Sequence, residues 1–259
     1  MNSEIFDTEH LSKTYFKMAL PVMLGLVVTL IYNLADTFFI GQTGNTALVA
    51  SVSLCSPVFT TLMAFGNIYG QGGSSLISRL LGENQKTAVH QVSSFCFYIA
   101  IITGVVLGIL MLLFHQGLLY AIGANEETIG FARDYFVILA IGAPAIILSF
   151  IHQNLLRCEG MATISMMGTI AGAVLNIILD PILISSCHMN ATGAAVATVL
   201  GYVFSELLYL LAVLKYSQWL SVKIKDFRIA VNQLKQIFGI GITAAITNLM
   251  QSLCVIIMN

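Results

Sequence analysis

Six stretches of this sequence are apolar for long enough to cross a lipid bilayer. They lie near 18–40, 51–77, 90–114, 132–154, 161–186 and 192–214, and a seventh begins near 237 and runs to Asn259. A hydrocarbon core takes about 20 helical residues. Inside it, backbone amides find no water, so each span has to be helical. The expected fold is therefore all-α and polytopic: a six-helix transmembrane bundle plus a partial seventh helix. Composition agrees, because 58% of the residues are hydrophobic and 9% are charged, against roughly 25% charged in a soluble domain. A net charge of −1 gives no reason to expect a nucleic-acid partner. The acidic start "MNSEIFDTEH" and the length of the first apolar run argue against a cleaved signal peptide.

Orientation follows from the basic residues. Lys13 and Lys17 precede the first span, Arg79 and Lys86 follow the second, and Arg157 follows the fourth. Lys215, Lys223, Lys225, Arg228 and Lys235 follow the sixth. Ten of the 11 basic residues thus fall on one side and only Arg133 on the other. The positive-inside rule puts the N-terminus in the cytoplasm; the chain is expected in the cell's inner (plasma) membrane. Three regions are expected: a six-helix lobe over 1–214, a cytoplasmic amphipathic linker over 215–236, and the start of a second lobe over 237–259. The linker, "KYSQWLSVKIKDFRIAVNQLKQ", alternates basic and apolar residues around the only tryptophan, Trp219, and is expected to hold an interfacial amphipathic helix. The run after it loosely echoes the first span: a basic lead-in, a small or proline breaker and an asparagine-bearing apolar stretch.

All four prolines, Pro21, Pro57, Pro144 and Pro181, fall inside spans. Each frees a carbonyl one turn back, which needs a partner from protein or water. Kinked helices around a polar cavity fit that pattern, and so do ordinary membrane-helix kinks. The five cysteines, Cys55, Cys96, Cys158, Cys187 and Cys254, show no ligand spacing, and Cys187 with His188 falls short of a metal site. "GQGGSS" lacks the GK[ST] of a phosphate loop, and no hydrolase or zinc-protease signature is present, so no enzyme is expected.

The informative residues are acidic side chains inside spans. Asp36, Asp180 and Glu206 are the clearest, with Arg133, Asp134 and Glu159 near span ends. Intramembrane carboxylates are rare and mark ion or proton pathways by default. In the oriented frame Asp36, Asp180 and Thr198 each lie five or six residues from the outer boundary, roughly 7–10 Å deep at 1.5 Å per residue. One turn below each aspartate, at i−4, sits a polar partner on the same face: Tyr32 under Asp36 and Asn176 under Asp180. Pro181 frees the carbonyl of Ile177 beside Asn176. These are hard oxygen ligands, suited to a proton or Na⁺. Two carboxylates in a low-dielectric pocket cannot both stay charged without a counter-ion, so the pair is expected to act as a unit. The competing reading is two unrelated polar residues reaching for the interface, although aspartate is short and snorkels poorly. Glu206, deeper in the sixth span, is either a hydrogen-bonded interior acid or a candidate proton relay. Met63, Met166 and Met167 either pack or line a pocket for varied ligands.

Six stretches in this order resemble the multidrug and toxic compound extrusion family of antiporters: "NLADTFFIGQTG" from Asn33, "GGSSLISRLLGENQKTA" from Gly72, "GANEETIGFARDY" from Gly123, "LLRCEG" from Leu155, "NIILDPILI" from Asn176 and "TGAAVATVLGY" from Thr192. The resemblance covers essentially the whole chain. It implies one lobe of a two-lobe transporter that exports small organic, often cationic drugs by alternating access, driven by H⁺ or Na⁺ and with no other cofactor or metal. It also implies that the lobe's cation site is formed by Tyr32, Asp36, Asn176, Asp180 and Thr198. The family has about twelve spans, so a C-terminal lobe is expected in the full-length protein. The record is then a fragment, a truncated gene or a half that works as a dimer. Two other readings are a flippase for lipid-linked precursors, which should show more cationic residues in its spans, and a non-transporting membrane fragment, in which Asp36→Asn and Asp180→Asn change nothing.

Overall fold

The computed structural model describes the backbone of residues 11–258, with side chains described for Phe16, 19–250, Leu253, Cys254 and Ile257. The side chains of Lys13 and Lys17, part of the charge argument above, lie outside the described residues. The described residues form α1 (Leu11–Gly41), α2 (Thr46–Gly82), α3 (Lys86–Leu113), a short α4 (His115–Ala121), α5 (Ile129–Cys158), α6 (Ala162–Asp180), α7 (Asn190–Tyr216) and α8 (Val231–Met258). No strand occurs among them. Six helices are long and apolar enough to cross a membrane: Ala19–Gly41, Thr46–Gly82, Lys86–Leu113, Ile129–Cys158, Ala162–Ser186 and Asn190–Tyr216. They match the six expected spans; the first and fifth agree to within one residue at each end, and the other four reach two to five residues farther at one end or both.

α5 runs through the middle of the bundle and packs against α2, α3, α6 and α7. Its Phe136, Leu139, Ile146, Ile147, Ile151 and Leu156 are wholly buried. α1 sits at the edge and packs chiefly on α6. Its Leu24, Leu30, Leu34 and Phe38 are exposed, as are Ile102, Val105, Ile109 and Leu113 on α3. Such apolar faces suit a lipid surround, which gives no hydrophobic drive for helices to associate. Close packing of small residues must hold them together instead. Gly172 on α6 meets Gly201 and Ser205 on α7 so closely that a Cβ on Gly172 would overlap both. Gly104 on α3 lies equally tight against Pro144 on α5. Gly72 on α2 meets the Ile237 carbonyl of α8, and Gly241 on α8 meets the Ile68 carbonyl of α2.

Pro181 changes the helix type rather than merely bending it. α6 ends at Asp180 and a π-helical turn follows, Pro181–Ser186. Proline has no N–H to bond the carbonyl four residues back, and the widened turn absorbs that loss. The turn closes through Cys187 N–H to the Ile182 carbonyl at 2.9 Å and Met189 N–H to the Leu183 carbonyl at 3.0 Å. Asp180 is therefore held at the junction between two helix geometries.

Arg79, Lys86, Arg157 and Lys215 gather at one end of the bundle, here called the basic end. Beyond it the structure corrects the expected interfacial helix. Residues 217–230 are extended, with a single 3₁₀ turn at Ile224–Asp226. Apart from the turn bonds over 223–228, their backbone groups bond mainly to side chains. The Glu159 carboxylate accepts from Ser217 Oγ (2.6 Å) and from the N–H groups of Gln218 (2.9 Å) and Trp219 (3.1 Å). Ser221 N–H donates to Ser93 Oγ at 2.9 Å, Ser94 Oγ donates to the Lys223 carbonyl at 2.7 Å, and Tyr98 OH donates to the Val222 carbonyl at 3.0 Å. The linker is thus strapped to α3 and to the turn after α5. α8 begins at Val231 rather than near 237, because the Gln233 side chain reaches back to the Ala230 N–H at 3.1 Å and caps the helix early.

Candidate cation site and a buried histidine–glutamate pair

Four helices bring polar groups to one level near the end opposite the basic one. Asp36 comes from α1 less than two turns before its end, and Asp180 from the last residue of α6. Thr198 and Tyr202 lie one turn apart on α7, and Tyr135 lies less than two turns into α5. Asp36 and Asp180 are within electrostatic reach of each other. The Tyr32 phenol interacts with Tyr202 and is within reach of both aspartates. The Tyr135 phenol interacts with Thr198 and is also within reach of both. Asn176 Nδ2 points at Thr198 Oγ1 across 3.5 Å. All five residues singled out in the sequence for this layer are therefore brought together.

The cluster is dry and rich in acceptors. Asp180 is fully buried, Asn176 is 2% exposed and Thr198 5%. Among the described residues, Asp36 Oδ1, Asn176 Oδ1 and both carboxylate oxygens of Asp180 are buried without a donor. A buried carboxylate with no partner costs several kcal/mol, and here the fully buried Asp180 lies within electrostatic reach of the half-buried Asp36. No lysine or arginine lies in α1 beyond Lys17, in α6, or in α7 before Lys215, and Arg133 on α5 is exposed. The set offers hard oxygen acceptors, a chemistry suited to a proton or a hard monovalent cation.

Tyr135 and Tyr202 were not anticipated, although both carried a signal. Tyr202 is four residues from Thr198 on the same face of α7, and Tyr135 lies at a comparable depth in α5. Glu206 does not belong to this layer. It lies two turns farther along α7, where its Oε1 meets His152 Nδ1 of α5 at 2.7 Å. His152 is 1% exposed, Glu206 is 8% exposed, and Glu206 Oε2 has no donor. Only the low charge of α5 between Asp134 and Arg157 could have drawn attention to His152. Met63 and Met166 are half-buried and Met167 is exposed.

A family model, MatE, matches residues 21–182, most of the chain and nearly all of the ground that α1 to α6 cover. The chain belongs to the MatE family. It is 34% identical to the multidrug export protein MepA of Staphylococcus haemolyticus over 239 residues, covering 92% of this chain and 53% of that protein. Against MepA of Staphylococcus aureus strain MRSA252 it is 34% identical over 254 residues, covering 98% and 56%. It superposes on a MATE transporter solved in a bent conformation with a TM-score of 0.86 and 30% identity, covering 93% of this chain and 54% of that one. An inward-facing multidrug resistance MATE transporter of the MOP superfamily gives 0.82 and 29%, covering 90% and 55%. The chain thus spans about half the length of the relatives it matches. The MATE proteins it matches are transporters, not enzymes, and this chain is a multi-pass membrane protein of their family.

Proposed function

We propose that this chain is the N-terminal, ion-binding half of a multidrug exporter coupled to H⁺ or Na⁺. One observation carries the reading: carboxylates from α1 and α6 share a buried, acceptor-rich space with no basic side chain to neutralise them. Such a space takes up a cation when accessible to one side and gives it up when conditions favour the carboxylates' other partners. That is the work a coupling site must do. The basic end faces the cytoplasm by the positive-inside rule, which places the carboxylates toward the outside, where the driving ion enters. The kinship with MepA supports small organic drugs as cargo. A full export path needs a second lobe packed against this one, and the exposed face of α8 is where that lobe would begin.

Drug protection in a pump-deficient bacterium tests the proposal. A gene that supplies this chain together with its second lobe should raise tolerance, and Asp36→Asn or Asp180→Asn should return it to the vector-only level at equal expression. Full protection by both variants would remove ion coupling at this site. Efflux from proteoliposomes under a pH gradient or a Na⁺ gradient then identifies the ion.

A further inference from the structure

The His152–Glu206 pair is not part of the outer cluster, yet it is the shortest contact between ionisable side chains described in the spans. It joins the central helix α5 to α7 and lies about 12 Å along α7 from Thr198, eight residues at 1.5 Å each. Thr198, Tyr202 and Glu206 are spaced by four and share one face of α7. Tyr202 interacts with Tyr32, which lies within reach of Asp36 and Asp180. Tyr202 and Tyr32 therefore lie between the outer carboxylates and the level of the pair.

A second polar path leads from the pair toward the basic end. Tyr209, one turn below Glu206 and within its electrostatic reach, hydrogen-bonds Thr169 Oγ1 at 2.9 Å and donates to the Ser165 carbonyl at 3.0 Å. Gln153 Nε2 donates to Thr169 Oγ1 at 2.8 Å, and Arg157 Nε donates to Ser165 Oγ at 3.2 Å. Arg157 is only half-buried, so the path ends near water.

We propose that His152 and Glu206 form a second proton-binding site in the inner half of the lobe, lying between the outer cation cluster and the basic end. In the unloaded state a neutral imidazole faces a carboxylate, with net charge −1. One proton from the aqueous phase converts this to imidazolium and carboxylate, net zero, with the hydrogen shared between Nδ1 and Oε1. No other atom changes hands. The orphan Glu206 Oε2 leaves room for the unloaded charge to be met by a donor on the Tyr202 side or the Tyr209 side. Other titratable groups on helices packed against α5 and α7 are Cys55, Tyr69 and Arg79 on α2, Lys86, His90, Cys96 and Tyr98 on α3, His115 and Tyr120 on α4, and Tyr32, Asp36 and Asp180 on α1 and α6. Beside the pair itself are the Phe97 ring, whose centroid lies 5.5 Å from that of His152, and Tyr209, within electrostatic reach of Glu206. The consequence for transport rests on the exporter reading above, but proton binding at the pair does not.

The test counts protons taken up by the purified full chain in micelles as pH falls from about 9 to about 5, a range that brackets the imidazole. Wild type should take up one more proton per chain than Glu206→Gln, because the glutamine leaves no carboxylate to share it. The infrared signature of the imidazolium should vanish in Glu206→Gln and in His152→Gln, where any proton taken up appears as a carboxylic-acid band instead. The Asp36→Asn/Asp180→Asn double variant should keep that proton and signature. If Glu206→Gln keeps the wild-type melting temperature yet takes up as many protons as wild type, the pair is a static clamp and the proposal fails. Loss of the signature in the Asp36→Asn/Asp180→Asn protein would also overturn it, by assigning the proton to the outer cluster. Failure of the drug-protection test with the Glu206 proton intact would fault only the exporter reading.

Discussion

A carboxylate and an imidazole 2.7 Å apart inside a bundle hold each other in place, and removing one strands the other. His152→Ala should destabilise the protein by about 3–5 kcal/mol, because Glu206 would be left buried with no partner. Glu206→Gln keeps a hydrogen-bonding group and should cost less than about 2 kcal/mol. Denaturant unfolding in mixed micelles measures both; equal losses would mean that the charge on Glu206 is irrelevant. At this scale the sequence was legible wherever a residue is costly in lipid. Asp36, Asp180 and Glu206 stand out because apolar neighbours make a carboxylate conspicuous, and counting residues from the span ends placed the first two in one layer. Tyr135, Tyr202 and His152 were not legible in the same way. Tyrosine is at home in membrane helices, and a histidine becomes informative only when its partner, 54 residues away in the chain, is seen beside it.

The elements were read best where one physical rule decides them. Six spans follow from the absence of water around the backbone, and Pro181 marks its own break because it cannot donate. Basic and apolar residues in the linker suggest an amphipathic helix, but over 220–223 polar and apolar residues alternate with period two, the spacing of an extended chain, before the 3₁₀ turn at Ile224–Asp226. What makes that chain extended is out of sequence register: Glu159, Ser93, Ser94 and Tyr98 supply the bonds a helix would have made within itself. α8 starts earlier than expected because its first turn is polar, and hydropathy cannot see a cap. A measurable consequence concerns the strap. Glu159→Ala removes the acceptor for the Gln218 and Trp219 amides, bonds to a charged group worth about 1.5–3 kcal/mol each. Hydrogen exchange at those two amides should speed by at least about tenfold, since 1.4 kcal/mol is one decade, while exchange within α5 is unchanged. Unchanged exchange at Gln218 and Trp219 would mean that the strap is held elsewhere.

Across the whole molecule, helices far apart in sequence deliver their acidic and hydroxyl groups to one place because small residues let them pack closely. α6 and α7 touch through Gly172 and Gly201, and the central α5 ties both to α2 and α3. Every group of the outer cluster comes from α1, α5, α6 or α7, so this chain should bind the coupling ion without the remaining length that its relatives possess. Because Asp36 and Asp180 face one space, they should bind it jointly. The most direct measurement is an ion-binding cycle on the purified chain, titrating protons in Na⁺-free buffer and Na⁺ at fixed pH, for wild type, Asp36→Asn, Asp180→Asn and the double variant. The account predicts that either single substitution abolishes the same binding event and that the double variant loses no more than the singles, the non-additivity of a shared site. Two independent, additive losses, or ion binding untouched by all three substitutions, would contradict it.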